Sequence, residues 1–441
     1  MRVEEIELCG GACRMICTQT DKFKRSSLTL LACNFSCEVD RVKNAVLLDV
    51  LLRGCEKYRT IGSINRHLDM LYSTNVSLRR TGYYGNSFFG ANLDYLDSSY
   101  TYDGTDLEAA GLDLIGELFF HPLLDVDGML LESYVEQEKQ NLVSAVNSRV
   151  NNPKALAHSR CRELLRMGER GFIGDEELLA RAEKLDRAEL TRYYRELFSS
   201  CSFVCFYVGS ATDAAVAHVS AFLEDISRYT TLRKLPERFF VDLPTMPERV
   251  KRGTLALDVS QCKLSLAYRV PFALGAEHTE LQDICAMKVL DALLGGSTSS
   301  KLFTVVREEM GLCYYCSSSY SAYYGVLSVD CGIDSSDLET AEREIDAQLE
   351  LIKQGSITET ELENAKRYLI FGYGEIDDSP QEIEGYYMWR RLFGEYTTHD
   401  EFAEMMNSVT AADVVRVARK IVKGAAYTVV GRAEDEAWEA E

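Results

Sequence analysis

The chain has 441 residues, 46% hydrophobic, 27% charged and 10% aromatic, with only 7 Pro and 29 Gly. That composition supports more than one folded core and excludes a single small module, a disordered chain and a fibrous one. A formal net charge of −21 repels phosphate backbones and anionic lipid surfaces at long range, so neither nucleic acid nor a membrane is expected as a partner.

Reading from the start, MRVEEIELCGG places Glu4, Glu5 and Glu7 where a secretory signal needs a basic and then an apolar segment, so a cytoplasmic location is expected. No apolar run approaches the ~18 uncharged residues of a membrane span, and the densest piece, 45–52, is interrupted by Asp49. SLTLLACNFS (27–36) has the apolar texture of a strand, and a short apolar helix is predicted over 41–53. Strands follow over 76–94, then helical segments at 106–118 and 133–161. A helix leading into an apolar strand covers 185–210.

The stretch 229–252 holds Pro236, Pro244 and Pro247 with several basic residues and no periodicity, and reads as a linker. Beyond it the same signals recur: a strand at 262–270, a helix at 278–294, strands at 314–333, a helix at 337–349, and a helix leading into a strand at 409–432. Both halves close an apolar strand on Val-Gly, at Gly209 and Gly431. This order indicates an internal duplication with a unit of about 220 residues. The expected fold is α+β: two homologous domains, 1–228 and 253–441, joined by the 229–252 linker, each a mixed sheet with helices packed on one side.

The 14 cysteines sit inside apolar segments such as CSFVCFYVG (201–209), and the expectation is buried free thiols. Cys13/Cys17, Cys33/Cys37 and Cys201/Cys205 are four apart but in strand-like runs, which separates their sulfurs by about 13 Å. Cys313 and Cys316 match CxxC, yet i and i+3 of a regular strand point to opposite faces, so neither redox nor metal use is expected of them. The six His residues include no two within one helical turn, so no local zinc pair exists. GxSxG, a phosphate loop with its Lys, and GxGxxG after a strand are all missing, which leaves no recognisable hydrolase or nucleotide site.

GGSTSSKLFTVVREEMGLCYYCSSSYSAYYGVLSV (295–329) resembles the C-terminal-half signature of the insulinase/pitrilysin peptidases, through Lys301-Leu-Phe303 and Arg307-Glu-Glu-Met-Gly-Leu-Cys-Tyr314. The duplication, the linker and the segment 133–161 with Asn-Asn-Pro153-x-Ala155 are similar to that family too, so the resemblance spans nearly the whole chain. It implies a clamshell of two related domains and, in active members, a zinc site built on His-x-x-Glu-His. Here that motif falls on NAVLLDVLLRGCEK (44–57): the two His positions become Ala45 and Asp49, and the catalytic Glu becomes Leu48. The family's distant Glu ligand falls at Ala145, seven residues beyond Glu138, which resembles an accessory Glu. No metal or other cofactor is therefore expected in this chain, and Asp49 is expected to be a solvated helix position.

The resemblance also implies that Arg307 and Tyr314 bind the scissile carbonyl of a peptide, and that Asn75-Val-Ser-Leu78 corresponds to a sheet edge to which peptides add. In one branch of the family a silent subunit of this length pairs with a zinc-bearing one. The implied role is that of the silent subunit, inactive alone, with zinc expected in an HxxEH-bearing partner. The alternatives are a homodimer or stand-alone protein that binds peptide or acts as a scaffold.

Overall fold

The computed structural model describes residues 2–431 except 38–39, 84–85, 170–171, 240, 242 and 244. The strands, in chain order, are β1 Arg2–Leu8, β2 Cys13–Gln19, β3 Arg25–Cys33, β4 Asn75–Tyr83, β5 Asn86–Leu96, β6 Ser200–Gly209, β7 Thr231–Leu232, β8 Lys251–Leu257, β9 Cys262–Arg269, β10 Cys313–Ser321, β11 Val326–Ile333 and β12 Val422–Gly431. The helices of the first half are α1 Arg41–Leu51, α2 Ile61–Met70, α3 Leu107–Phe120, α4 Glu132–Asn147, α5 Pro153–Arg166, α6 Asp175–Lys184, α7 Arg187–Leu197 and α8 Thr212–Ile226. Those of the second half are α9 Leu281–Asp291, α10 Leu338–Gln354, α11 Glu359–Gly374, α12 Pro380–Leu392, α13 His399–Ser408 and α14 Ala411–Ala418.

Two units form, and neither is continuous in sequence. The first comprises Met1–Val146, Ile173–Phe239 and Asp377–Leu392; the second comprises Asn147–Phe172, Phe240–Ile376 and Phe393–Glu441. In the first, the sheet runs β1-β2-β6-β3-β5-β4, with β7 also on β6; β2 lies parallel to β6, and β6, β3, β5 and β4 are antiparallel in turn. In the second, the order is β10-β11-β9-β12-β8, with β12 parallel to β8 and the remaining pairs antiparallel. Five strands thus correspond one to one: β2, β6, β3, β5 and β4 match β8, β12, β9, β11 and β10 in order and direction.

Core placement follows from the strand texture. β6 is buried at every position, and β3 at all but its first, because both faces of these central strands are covered. Cys13, Met15 and Cys17 of β2 and Leu28, Leu30 and Ala32 of β3 join the main core cluster with Val46, Leu47 and Leu48 of α1 and Leu114, Ile115 and Leu118 of α3. The opposite face carries one helix from the other end of the sequence: α12 packs on β6, β2 and β3, and Thr29 of β3 donates its hydroxyl to Glu384 at 2.8 Å. The second unit mirrors this. α5 packs on β9, β12 and β8, with Cys161 and Leu165 against Ala267, Ala425 and Val326.

The expected helix 133–161 is accordingly two helices. Pro153 has no N–H to continue a ladder and occupies the first turn of α5, while the Asn152 side chain accepts from Ala155 N at 3.1 Å. This break lies just beyond the point where the chain leaves the first unit. The 229–252 stretch is tied down at its start: β7 pairs with β6, and Arg14 donates to the carbonyls of Pro236 and Glu237 at 3.0 and 2.7 Å. Phe239 N bonds Leu392 O within the first unit, and Val241 N bonds Gly275 O within the second.

Candidate functional site

The first group of site positions lies on α1 and its neighbours in the first unit. Asp40 caps α1 by accepting from Val42 N and Lys43 N, and the helix then presents Ala45 and Asp49 one turn apart on one face. Leu48 points the other way and is fully buried in the core, so the residue that the resemblance aligns with a catalytic Glu is an apolar packing position. From β4, Arg80 reaches over this face. Its Nη1 donates both to the carbonyl oxygen of Ala45 and to Asp49 Oδ2, the latter at 3.0 Å.

Asp49 is therefore not a freely solvated residue, as its place in the sequence implies, but half-buried and ion-paired. Burial raises its carboxyl above the usual range, and the Arg80 charge opposes that rise. One turn further, Arg53 pairs with the buried Glu138 of α4 and lies over the Tyr134 ring at 5.9 Å, while Asn141 Nδ2 donates to Glu138 Oε2 at 2.9 Å. Ala145, on the same helix, is exposed.

A divalent zinc ion needs three protein donors, usually His, Cys or carboxylate. These positions offer two alanines and one aspartate already held by a guanidinium, so the residues present do not fit the ion. A fixed positive charge stands on the face where the ligands would be. Sequence reasoning missed Arg80, because nothing in SLRRTG (77–82) marks which arginine turns toward α1.

The second group lies in the other unit. Asp291 ends α9; its buried carboxylate accepts from Ser318 and from Tyr320 N, which anchors the start of the signature segment to β10. A π-helical stretch, Leu302–Glu309, then buries Leu302 and Val306 and carries Arg307. Arg307 is 40% exposed, paired with Glu308 at 3.4 Å and stacked over Phe303 at 4.6 Å. Gly311, at φ +64, turns the chain into β10. Tyr314 is 59% exposed, and its hydroxyl has no protein partner among the described residues. Arg307 and Tyr314 thus flank one turn with both donor ends open to solvent.

Between them the structure corrects one expectation. The β10–β11 register shifts between Cys313 and Tyr315, and this bulge turns Cys313 to the same side as Cys316, which lies directly opposite Cys331. The three Sγ atoms all come within 4.8 Å of one another, and all three residues are buried. The opposite-face argument holds for a regular strand and fails at a bulge. Thiol hydrogen bonds with Cys316 and Cys331, and then the Arg307 charge, pull the Cys313 thiol below its ordinary range.

β4 forms one edge of the first unit's sheet, paired on one side with β5 and on the other with no strand among the described residues; Asn75 to Leu78 lie on it. No helix among the described residues is long and apolar enough to cross a membrane.

Residues 184–369 match the family model described as Peptidase M16 inactive domain. The chain is 26% identical over 436 residues to the probable inactive metalloprotease YmfF of Bacillus subtilis, covering 97% of this chain and 98% of that one. It is also 26% identical over 326 residues to the uncharacterized zinc protease YmxG of the same organism, covering 70% of this chain and 72% of that one. A conserved protein of Enterococcus faecalis has the same fold, with a TM-score of 0.83 at 21% identity over 98% of this chain and 100% of that one. So does a peptidase M16 inactive domain from Pseudomonas fluorescens, with a TM-score of 0.74 at 18% identity over 98% and 99%.

Over nearly its whole length the chain is similar to inactive members of the M16 peptidase family, and its sequence lacks the His-x-x-Glu-His motif. Ala45, Leu48, Asp49 and Ala145 are the positions that the sequence resemblance aligns with the zinc motif, and Arg80 and Arg53 are cations in their neighbourhood.

Proposed function

We propose that this M16 homologue is the non-catalytic subunit of a zinc peptidase, binding peptide and presenting Arg307 and Tyr314 to the scissile carbonyl in a complex with an HxxEH-bearing paralogue. One observation carries the reading: Arg307, held only by its surface neighbours Glu308 and Phe303, and the exposed Tyr314 stand on either side of one turn, while α1 carries apolar and ion-paired residues where metal donors would stand. A guanidinium is always charged and a phenol is a good donor, so both suit an oxygen that gains negative charge as the carbonyl is attacked. The open edge of β4 supports peptide binding by strand addition, in which main-chain hydrogen bonds supply affinity. Bacillus subtilis holds relatives with both kinds of name, one a probable inactive metalloprotease and one an uncharacterized zinc protease, so chains of both kinds occur in one organism, as this reading requires. The zinc belongs to the partner, and a cytoplasmic location is part of the same proposal, checked by cell fractionation.

The test mixes the pure chain with its HxxEH-bearing relative from the same organism. Peptide hydrolysis is expected in the mixture and not from this chain alone. Arg307→Ala and Tyr314→Phe are each expected to lower kcat by about 10²–10³-fold, the cost of one oxyanion donor, with the complex still eluting intact. Full activity in the Arg307→Ala mixture would remove that residue from the mechanism. A stand-alone peptide-binding or scaffold role is the second reading, favoured by the same open β4 edge; isolation from the native source without a stoichiometric zinc-bearing partner would select it.

A further inference from the structure

The bulge at the start of β10 has assembled a donor set that belongs to no part of the peptidase site. We propose that Cys313, Cys316 and Cys331 form a three-thiolate site for a soft monovalent metal ion of the Cu(I) class. The inference does not rest on the peptidase-subunit reading.

Three features carry it. First, the sulfurs already converge within 4.8 Å of one another. An ion with metal–sulfur bonds of about 2.3 Å in a trigonal plane holds its sulfurs about 4 Å apart, so closure needs shifts of under about 1 Å. Second, the convergence is built by the fold. Cys316 and Cys331 are cross-strand partners on one face, and Cys313 reaches that face only because the ladder slips by one residue, a feature that sheets use to re-aim side chains. Third, the donor set is purely sulfur: no His or carboxylate joins it among the described residues. Asp330, next to Cys331 on the strand, is committed elsewhere through His158 Nδ1 at 2.8 Å.

All-thiolate sites select Cu(I), zinc or iron–sulfur clusters over magnesium, calcium and manganese. Structural zinc almost always takes four protein donors in a tetrahedron, and this site supplies three in a buried setting. A three-coordinate monovalent ion matches that count. Binding sends the thiol protons to solvent. The charge left on sulfur is met in part by the nearby Arg307. Entry is from the side of Cys313, the least buried of the three at 8%, beside exposed Tyr314. The bound ion would pin the backbone between Arg307 and Tyr314.

The test uses the reduced full-length chain under anaerobic conditions, titrated with Cu(I) against a chromophoric Cu(I) chelator and, separately, with Zn(II) against a zinc indicator. The expected result is one Cu(I) retained per chain, a new ultraviolet thiolate-to-metal absorption band, and a shell of three sulfurs by X-ray absorption. Cys313→Ser, the least buried replacement, is expected to weaken retention by at least about 100-fold, the upper end of what outer-shell partners alone contribute. Cys9→Ser, which removes the one exposed thiol, should leave retention unchanged. Circular dichroism and a thermal transition on each variant separate lost binding from lost folding. Cu(I) surrendered fully to the chelator, retention indifferent to Cys313→Ser, tight Zn(II) without Cu(I), or a Cys316–Cys331 disulfide in protein isolated without reductant would each overturn the assignment.

Discussion

If Arg80 is what closes the α1 face to metal, installing ligands should not be enough to open it. The perturbation is Ala45→His with Asp49→His, which places two imidazoles one helical turn apart, compared with the same pair plus Arg80→Ala. In the chain as it stands, Arg80 Nη1 lies 3.0 Å from Asp49 Oδ2 and also bonds the Ala45 carbonyl, so its charge stands beside any ion held by residues 45 and 49. A unit charge 4 Å from a divalent ion costs about 8 kcal/mol at an effective dielectric of about 20, which is the ceiling for a rigid guanidinium. Both side chains are 40% exposed, so Arg80 can swing into water once Asp49 is gone. The residual cost is then about 1.4–2.8 kcal/mol, or about 10- to 100-fold in Kd. Zinc titration against a fluorescent competitor reads this directly. The double-His variant is expected to bind at least about tenfold more weakly than the triple variant. Equal zinc affinities with and without Arg80 would refute the idea that this residue bars the site.

Other outcomes follow from the same geometry. The Arg53–Glu138 pair is largely buried, so Glu138→Ala should destabilise the first unit by about 3–5 kcal/mol in denaturant unfolding, and the double variant with Arg53→Ala should recover part of that loss. A flat double-mutant cycle would deny the pair its structural role. Gly90 faces the backbone of β3, where an added Cβ would meet Leu30 O at 2.0 Å; Gly90→Ala is expected to cost about 3 kcal/mol or to prevent folding, as seen in the soluble yield and thermal transition. Burial raises the Glu384 carboxyl above its ordinary value of 4.5, opposed by the Thr29 hydrogen bond and the Arg79 charge. With the native state holding its proton more tightly than the unfolded chain, stability is full below the unfolded value and falls as pH rises through the raised one. Glu384→Gln should therefore unfold at a higher temperature than the parent above that window and match it near pH 4.5. A pH-independent difference would place the effect elsewhere.

Much of this was readable from residues alone. The two Val-Gly strand ends at 209 and 431 announced the duplication, and the two sheets share five strands in the same order. Continuous apolar runs marked β3 and β6 because strands buried on both faces lose their alternation. The expectation that 45, 49 and 145 carry no ligand set rested on the family resemblance of 44–57 and 133–161. Three things were not legible. Periodicity tells which face of a helix is apolar but not which sheet it meets, so the placements of α5 and α12 were invisible. An arginine on an edge strand reaches about 6 Å in any direction, and its partner is set by tertiary packing. A bulge is one slipped residue, so the convergence of Cys313 with Cys316 and Cys331 could not be seen from the CxxC spacing.

The placement of α12 bears on how the chain is made. The first unit's central strands are complete once residue 209 has been synthesised, but the helix that covers β2, β3 and β6 on their second face ends at Leu392. At about 5–20 residues per second, a ribosome needs roughly 10–40 seconds to cross that interval. Throughout it, the nascent sheet keeps Thr29 and its neighbours without their native cover. α5 has the converse history, since it emerges long before the strands β8, β9 and β12 on which it rests. The first unit alone therefore leaves the ribosome one helix short, and a stop codon placed in the 229–252 stretch yields a fragment with an uncovered sheet face, a natural client for chaperones.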